Sequence, residues 1–163
     1  MSAVDISKDL ENATLVVSSE FAAAPERIWR LWADPRQLER WWGPEPYAAT
    51  VVDHDLRPGG HVSYYMTGPE GDQHKGFWRV LEVEPPARLV FEDGFADDAG
   101  EPNDDLPVSR AEVAIASVDG GRTRMTITST YGTTAELEQV LAMGMEEGIR
   151  AAVGQIDALL AED

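Results

Sequence analysis

The sequence predicts an α+β domain: a strongly curved antiparallel sheet wrapped around one long C-terminal helix, with two short helices after the first strand. Three observations carry that expectation. From Thr134 to Leu160, the residues Leu137, Leu141, Met145, Ile149, Val153, Ile156 and Leu160 recur at steps of three or four, an apolar stripe of helical period. Between Tyr47 and Tyr131 the period changes to two, and clusters of Gly, Pro and Asp interrupt it at short intervals. A run of antiparallel strands with one apolar face needs a cover, and the closing helix offers a matching stripe.

Taken in order, residues 1–12 are polar and read as a flexible tail, leaving 13–163 as a single domain. Thr14 to Phe21 is rich in β-branched residues, with Leu15, Val17 and Phe21 in partial alternation, and reads as a strand. Ala24-Pro25-Glu26 opens a helix, because proline suits a first helical position. Asp34-Pro35 opens a second short helix, which Gly43-Pro44 ends. Strands are then expected over Tyr47–Leu56, His61–Met66, Lys75–Glu84 and Arg88–Phe95, with turns at Arg57-Pro58-Gly59-Gly60 and at Gly68 to Asp72. Ala96 to Pro107 carries Asp97, Asp98, Glu101, Asp104 and Asp105, and is expected as a poorly ordered surface loop. Val108–Val118 and Arg122–Tyr131 pair as a hairpin across Asp119-Gly120-Gly121. Thr133 and Glu136 have the spacing of a capping box at the start of the closing helix, about 40 Å long if continuous.

Composition narrows the function classes. A length of 163 residues suits one domain with a real core, and 43% hydrophobic residues exclude a disordered chain. Thirteen basic against thirty acidic residues leave a net charge of −17, which repels phosphate backbones and anionic lipid. Nucleic acid and membrane are therefore excluded as partners. No cysteine is present, so neither disulfides nor thiolate metal sites are expected. No apolar signal core or membrane-length run occurs, and a cytoplasmic location is expected.

The candidate site follows from the glycines. Gly144, Gly148 and Gly154 lie inside the closing helix, each costing roughly 1 kcal/mol against alanine. Either another backbone approaches there, or the helix leaves space for a guest. Strand parity aims Tyr64, Met66 and Phe91 at that stretch, so the expected pocket wall is Trp42, Tyr64, Met66, Trp78, Phe91, Leu141, Met145 and Ile149. Each is more often plain core than ligand contact, and the Trp41-Trp42 corner more often one core indole with the other covering the sheet opening. His61 and His74 read as solvent-facing, whereas His54 shares parity with Val52 and Leu56 and points inward. With no paired-histidine spacing, no metal site and no cofactor are expected. Asp93 shares a face with Leu89, Phe91 and Phe95, so it is the acid–base candidate, with His54 behind it, unless it is simply a wet strand end. There is no nucleophile elbow and no phosphate loop.

Phe21-x-x-x-Pro25, Ile28-Trp29, Asp34-Pro35, Trp41-Trp42-Gly43-Pro44, Asp55-Leu56-Arg57-Pro58-Gly59-Gly60 and Glu82-Val83-x-Pro85-Pro86-x-Arg88-Leu89 resemble the activator of heat-shock protein 90 ATPase homologues, a branch of the START and polyketide-cyclase superfamily. The resemblance spans roughly Leu15 to Leu160 and implies a helix-grip fold. In such relatives a tryptophan often stands where this chain has Ile149, a swap that would enlarge a cavity. Three functions follow as expectations. First is a binding module for a small hydrophobic or aromatic molecule. Second, on the resemblance, is an interaction domain whose partner is a chaperone. Third is a cyclase-like or hydrolase-like enzyme using Asp93 with His54 or Tyr64. Binding ranks first, in a monomer or homodimer.

Overall fold

The computed structural model describes residues 2–163. Its centre is one antiparallel sheet of eight strands in the order β1-β2-β8-β7-β6-β5-β4-β3. These are β1 (Asp5–Asp9), β2 (Thr14–Phe21), β3 (Ala48–His54), β4 (His61–Thr67), β5 (Gln73–Glu84), β6 (Arg88–Phe95), β7 (Ser109–Val118) and β8 (Arg122–Thr130). Helices α1 (Pro25–Ala33) and α2 (Pro35–Trp42) follow β2, and α3 (Thr134–Ala142), α4 (Met145–Gly154) and α5 (Ile156–Leu160) close the chain. The sheet curls around these helices in a helix grip, as the sequence predicts.

The helix starts follow their local chemistry. Pro25 opens α1, and the Asp34 carboxylate accepts the Arg36 N–H at 2.9 Å to cap α2. Thr133 caps α3, its hydroxyl accepting the Glu136 N–H at 3.1 Å. Strand alternation is equally direct: Leu15, Val17, Ser19 and Phe21 of β2 are buried, as are Thr123, Met125, Ile127 and Ser129 of β8.

Three expectations change. Residues 5–9, read as tail, form the edge strand β1, with Ile6 opposite Val17 in the register. That strand is mostly polar, with Ile6 and the preceding Val4 packed against the core, so its hydropathic sign is slight; backbone pairing adds to those two contacts. Side chains fasten the same segment to the closing helices. Ser2 donates to Asp157 at 2.6 and 2.8 Å, Arg150 donates to the Val4 carbonyl at 2.8 Å, and Lys8 pairs with Glu146 at 2.7 Å.

The single long helix is also broken. Gly144 sits at φ +91°, a left-handed conformation that ends α3 and starts α4. The apolar stripe runs on through the break, because its spacing does not record backbone handedness.

The third change concerns the acidic loop, which carries a network of local hydrogen bonds that its composition does not foretell. The Asp97 carboxylate accepts the Ala99 and Glu101 N–H groups at 2.9 Å, and Asn103 N–H reaches the Phe95 carbonyl at 2.8 Å. Lys75 donates to the Asp98 carbonyl at 2.6 Å. Side-chain-to-backbone bonds of this kind order a segment without any apolar anchor.

A candidate ligand cavity under the broken helix

The inner face of the sheet divides into two parts. Under α1 and α2 it is filled by rings. Trp32 meets Trp41 edge-on at 4.8 Å, and Trp78 stacks on Phe91 at 4.1 Å; all four are fully buried. Trp32 donates to the Met125 sulfur at 3.4 Å and Trp41 to the Leu31 carbonyl at 3.0 Å, so two of the indole N–H groups are satisfied inside the core.

Under the break between α3 and α4 the filling stops. A cavity of about 230 Å³ opens there, bordered by Trp42, Tyr64, Met66, Met145, Gly148 and Ile149 among mostly apolar neighbours. Gly148 contributes by what it lacks: a Cβ placed on it would meet nothing within 4 Å. The choice between close backbone and open space thus resolves separately for each glycine: Gly144 is required by its φ, while Gly148 and Gly154 face open space.

One end of the cavity is polar. Asp93 on β6 and Ser109 on β7 are cross-strand partners, and Tyr64 and Tyr131 complete the group. Tyr64 reaches Asp93 across the intervening strand β5 because its register partner there is Gly76, where any Cβ would overlap the phenol ring. The Tyr64 hydroxyl lies 3.5 Å from the Asp93 carboxylate, a long and weak hydrogen bond.

Burial pushes Asp93 up to about 7, against a smaller lowering by the Tyr64 hydroxyl. It also pushes Tyr64 well above the ordinary phenol range, with the Asp93 charge adding to the rise and the Trp42 indole opposing it. Tyr131 is raised by burial and then by Asp93, with the Ser109 hydroxyl acting the other way. The Trp42 and Trp78 indole N–H groups are buried and make no well-formed hydrogen bond among the described residues.

Of the residues expected at the site, Trp42, Tyr64, Met66, Met145, Ile149 and Asp93 border the cavity. Trp78 and Phe91 do not. Both point inward as parity predicts, but they lie beneath Trp32 and Trp42, with Trp42 packed edge-on over Trp78 at 5.1 Å. They are core. Leu141 packs against the core cluster instead, and the break puts Val140 and Met143 at the cavity in its place.

His54 also leaves the site: its Nε2 lies 2.9 Å from the Trp32 carbonyl, which anchors β3 to α1. A bulge in β3 explains its setting, since Val52 is the extra residue and is 63% exposed, while His54 stays on the inner face opposite Val62. His61, Ser63 and Tyr65 take the other face, bordering an outer cleft with the turn at 96–102. No cluster of His or carboxylate side chains suited to a metal ion occurs among the described residues.

Ser109 and Tyr131 went unpredicted, although their parity with Ala111 and Val113 on β7, and with Met125 and Ile127 on β8, marks both as inward.

Comparison with known proteins agrees with this architecture. Residues 22–161 match the family described as Activator of Hsp90 ATPase homolog 1-like protein. The chain is similar to the crystal structure of protein Ms6760 from Mycobacterium smegmatis, at 51% identity and a TM-score of 0.89, with 96% of each chain covered. It is similar to the solution structure of a protein from Arthrobacter aurescens, at 45% identity and a TM-score of 0.92, covering 98% of this chain and 92% of that one. A crystal structure from Rhodobacter sphaeroides matches at 26% identity and a TM-score of 0.83, covering 98% of this chain and 99% of that one. No curated protein matches. With the family match spanning residues 22–161 and a relative 51% identical over 96% of each chain, the chain belongs to the family of activator of Hsp90 ATPase homolog 1-like proteins, helix-grip domains of the START-like superfamily.

Proposed function

We propose that this protein binds a small hydrophobic or aromatic molecule in the cavity between α3–α4 and the sheet. The observation that carries the reading is the cavity itself. Beside a densely packed aromatic core, about 230 Å³ stays open as a concave, mostly apolar recess, the form that small-molecule sites take. Its size lies below the roughly 300–1,000 Å³ of drug-sized sites, which points to a compact guest. Aromatic and methionine side chains give it an adaptable apolar wall, and the polar end offers few groups, enough to orient a guest. Helix-grip domains of this superfamily generally hold hydrophobic ligands, which supports the same reading.

The test is occupancy. The neutral apolar dye N-phenylnaphthylamine should bind the native protein with enhanced fluorescence. Met145→Trp, which places an indole in the cavity, should abolish that signal while leaving circular dichroism unchanged. Dye that never binds, or that binds the variant equally well, would remove the cavity from consideration.

A further inference from the structure

The polar end of the cavity carries an imbalance. Among the described residues, Asp93 is the one carboxylate that borders it, and no lysine, arginine or histidine does. The other titratable groups facing Asp93 are phenols, Tyr64 of β4 and Tyr131 after β8; α2, α3, α4 and β7 bring no charged side chain to the lining.

The chain's own cations are committed elsewhere. Each arginine has a carboxylate within ion-pair distance, from Arg27 with Asp163 to Arg150 with Glu146, and none of those carboxylates is Asp93. Lys8 pairs with Glu146, and Lys75 donates to the Asp98 carbonyl. A half-buried carboxyl with no cation beside it is unusual, and this one opens onto a space of ligand size.

We propose that the cavity selects a hydrophobic amine, whose ammonium group pairs with Asp93 while its apolar body lies against the methionines and aromatic rings of the wall. The inference rests on the cavity being a ligand site and adds the chemical class of the ligand. Two further features favour a cation. Trp42, Tyr64, Phe95 and Tyr131 border the cavity, and aromatic rings attract ammonium groups. The chain's net charge is −17, and the five carboxylates of the 97–105 loop lead directly into Pro107 at the cavity, so the surrounding field draws cations and repels anions.

The pH dependence follows. With Asp93 at about 7 in the free protein, an ammonium must displace its proton at lower pH and meets a carboxylate at higher pH. The same carboxyl, when neutral, excludes nothing, so an uncharged ligand of equal shape gains no such dependence.

The experiment compares naphthylethylamine, naphthylethanol, naphthyl methyl ketone and naphthylacetate by titration calorimetry. At about pH 8 the amine should bind about tenfold tighter than the alcohol, the equivalent of lowering the Asp93 pKa by one unit, and naphthylacetate should be the weakest. The amine's advantage should shrink toward about pH 5.5 as the carboxyl takes its proton. Asp93→Asn, with the circular dichroism and melting behaviour of a folded chain, should bring the amine down to the alcohol's affinity.

Alcohol and amine binding equally overturns the amine assignment and leaves the cavity reading standing. A preferred ketone would instead assign the Trp42 N–H and the Asp93 carboxyl as donors to an oxygen, and also overturns it. Failure of all four probes sinks the cavity reading itself.

Discussion

The two halves of the inner sheet face are built from similar residues and end up doing different things. Trp78 and Phe91 in one half, and Tyr64 and Met66 in the other, are all inward-facing large side chains on neighbouring strands. The first pair lies beneath Trp32 and Trp42, and is sealed. The second pair lies beneath a helix interrupted at Gly144 and stripped of bulk at Gly148, and borders a cavity. Whether an inward residue becomes core or wall is therefore decided by what covers it. The strand supplies direction, and the cover supplies or withholds volume.

The largest expected effect tests the filled half. Trp32→Ala should cost about 3–5 kcal/mol, since it removes the ring that joins Trp41, Trp42, Trp78 and Phe91. Met66→Ala, at the border of a space already open, should cost about 1 kcal/mol or less when both variants are unfolded by denaturant titration. Equal losses would erase the distinction between the halves.

A smaller effect belongs to the polar end. Asp93 titrates at about 7 in the folded chain against an ordinary value of 3.8, so between those values the folded state keeps a proton that the unfolded chain has released. Stability must therefore fall as pH rises through that window, and the full cost is present above it. Asp93→Asn removes the cost. The variant should match the wild type near pH 4 and exceed it by roughly 2–4 kcal/mol near pH 8. Parallel stability curves across that range would mean that the carboxyl is well solvated.

The smallest effect separates the two glycines of the cover. Gly144→Ala should destabilise by about 1–2 kcal/mol, because its φ of +91° is unfavourable for any residue with a Cβ. Gly148→Ala should stabilise by about 0.5–1 kcal/mol, since a Cβ there meets only open space and alanine favours helix. Thermal melts that shift in the same direction for both would show that space and backbone conformation have been misassigned between them.

Much of this was legible in the sequence, and what was missed has identifiable causes. Period-two and helical stripes located seven of the eight strands and the closing helical region, because burial on one face imposes those periods. The exception, β1, is held mostly by backbone pairing and by Ser2, Lys8 and the Val4 carbonyl, and its only hydropathic trace is the short Val4–Ile6 alternation. The break at Gly144 was visible only as an unexplained cost, since spacing cannot distinguish a glycine that supplies φ from one that supplies room. Parity placed Tyr64, Met66 and Asp93 correctly on the inner face. It could not say that Trp78 and Phe91 fall beneath α1, because that is a question of position along the strand and of which element lies above. The bulge at Val52 shows the other limit: one inserted residue changes the face of everything beyond it, and composition does not announce it.

The fastening of the cover has a consequence of its own. Helices α4 and α5 and the last residues are held to the rest of the molecule in part by charged and hydrogen-bonded clasps: Lys8 to Glu146, Ser2 to Asp157, Arg27 to Asp163 and Arg40 to Glu162. Those contacts lie near solvent, where dissolved salt screens charge within about 10 Å at 0.1 M. The tryptophan cluster has no such sensitivity. Ionic strength therefore acts on the molecule unevenly, weakening these individually modest clasps while the apolar contacts of Val153, Ile156 and Leu159 and the aromatic core are left unscreened.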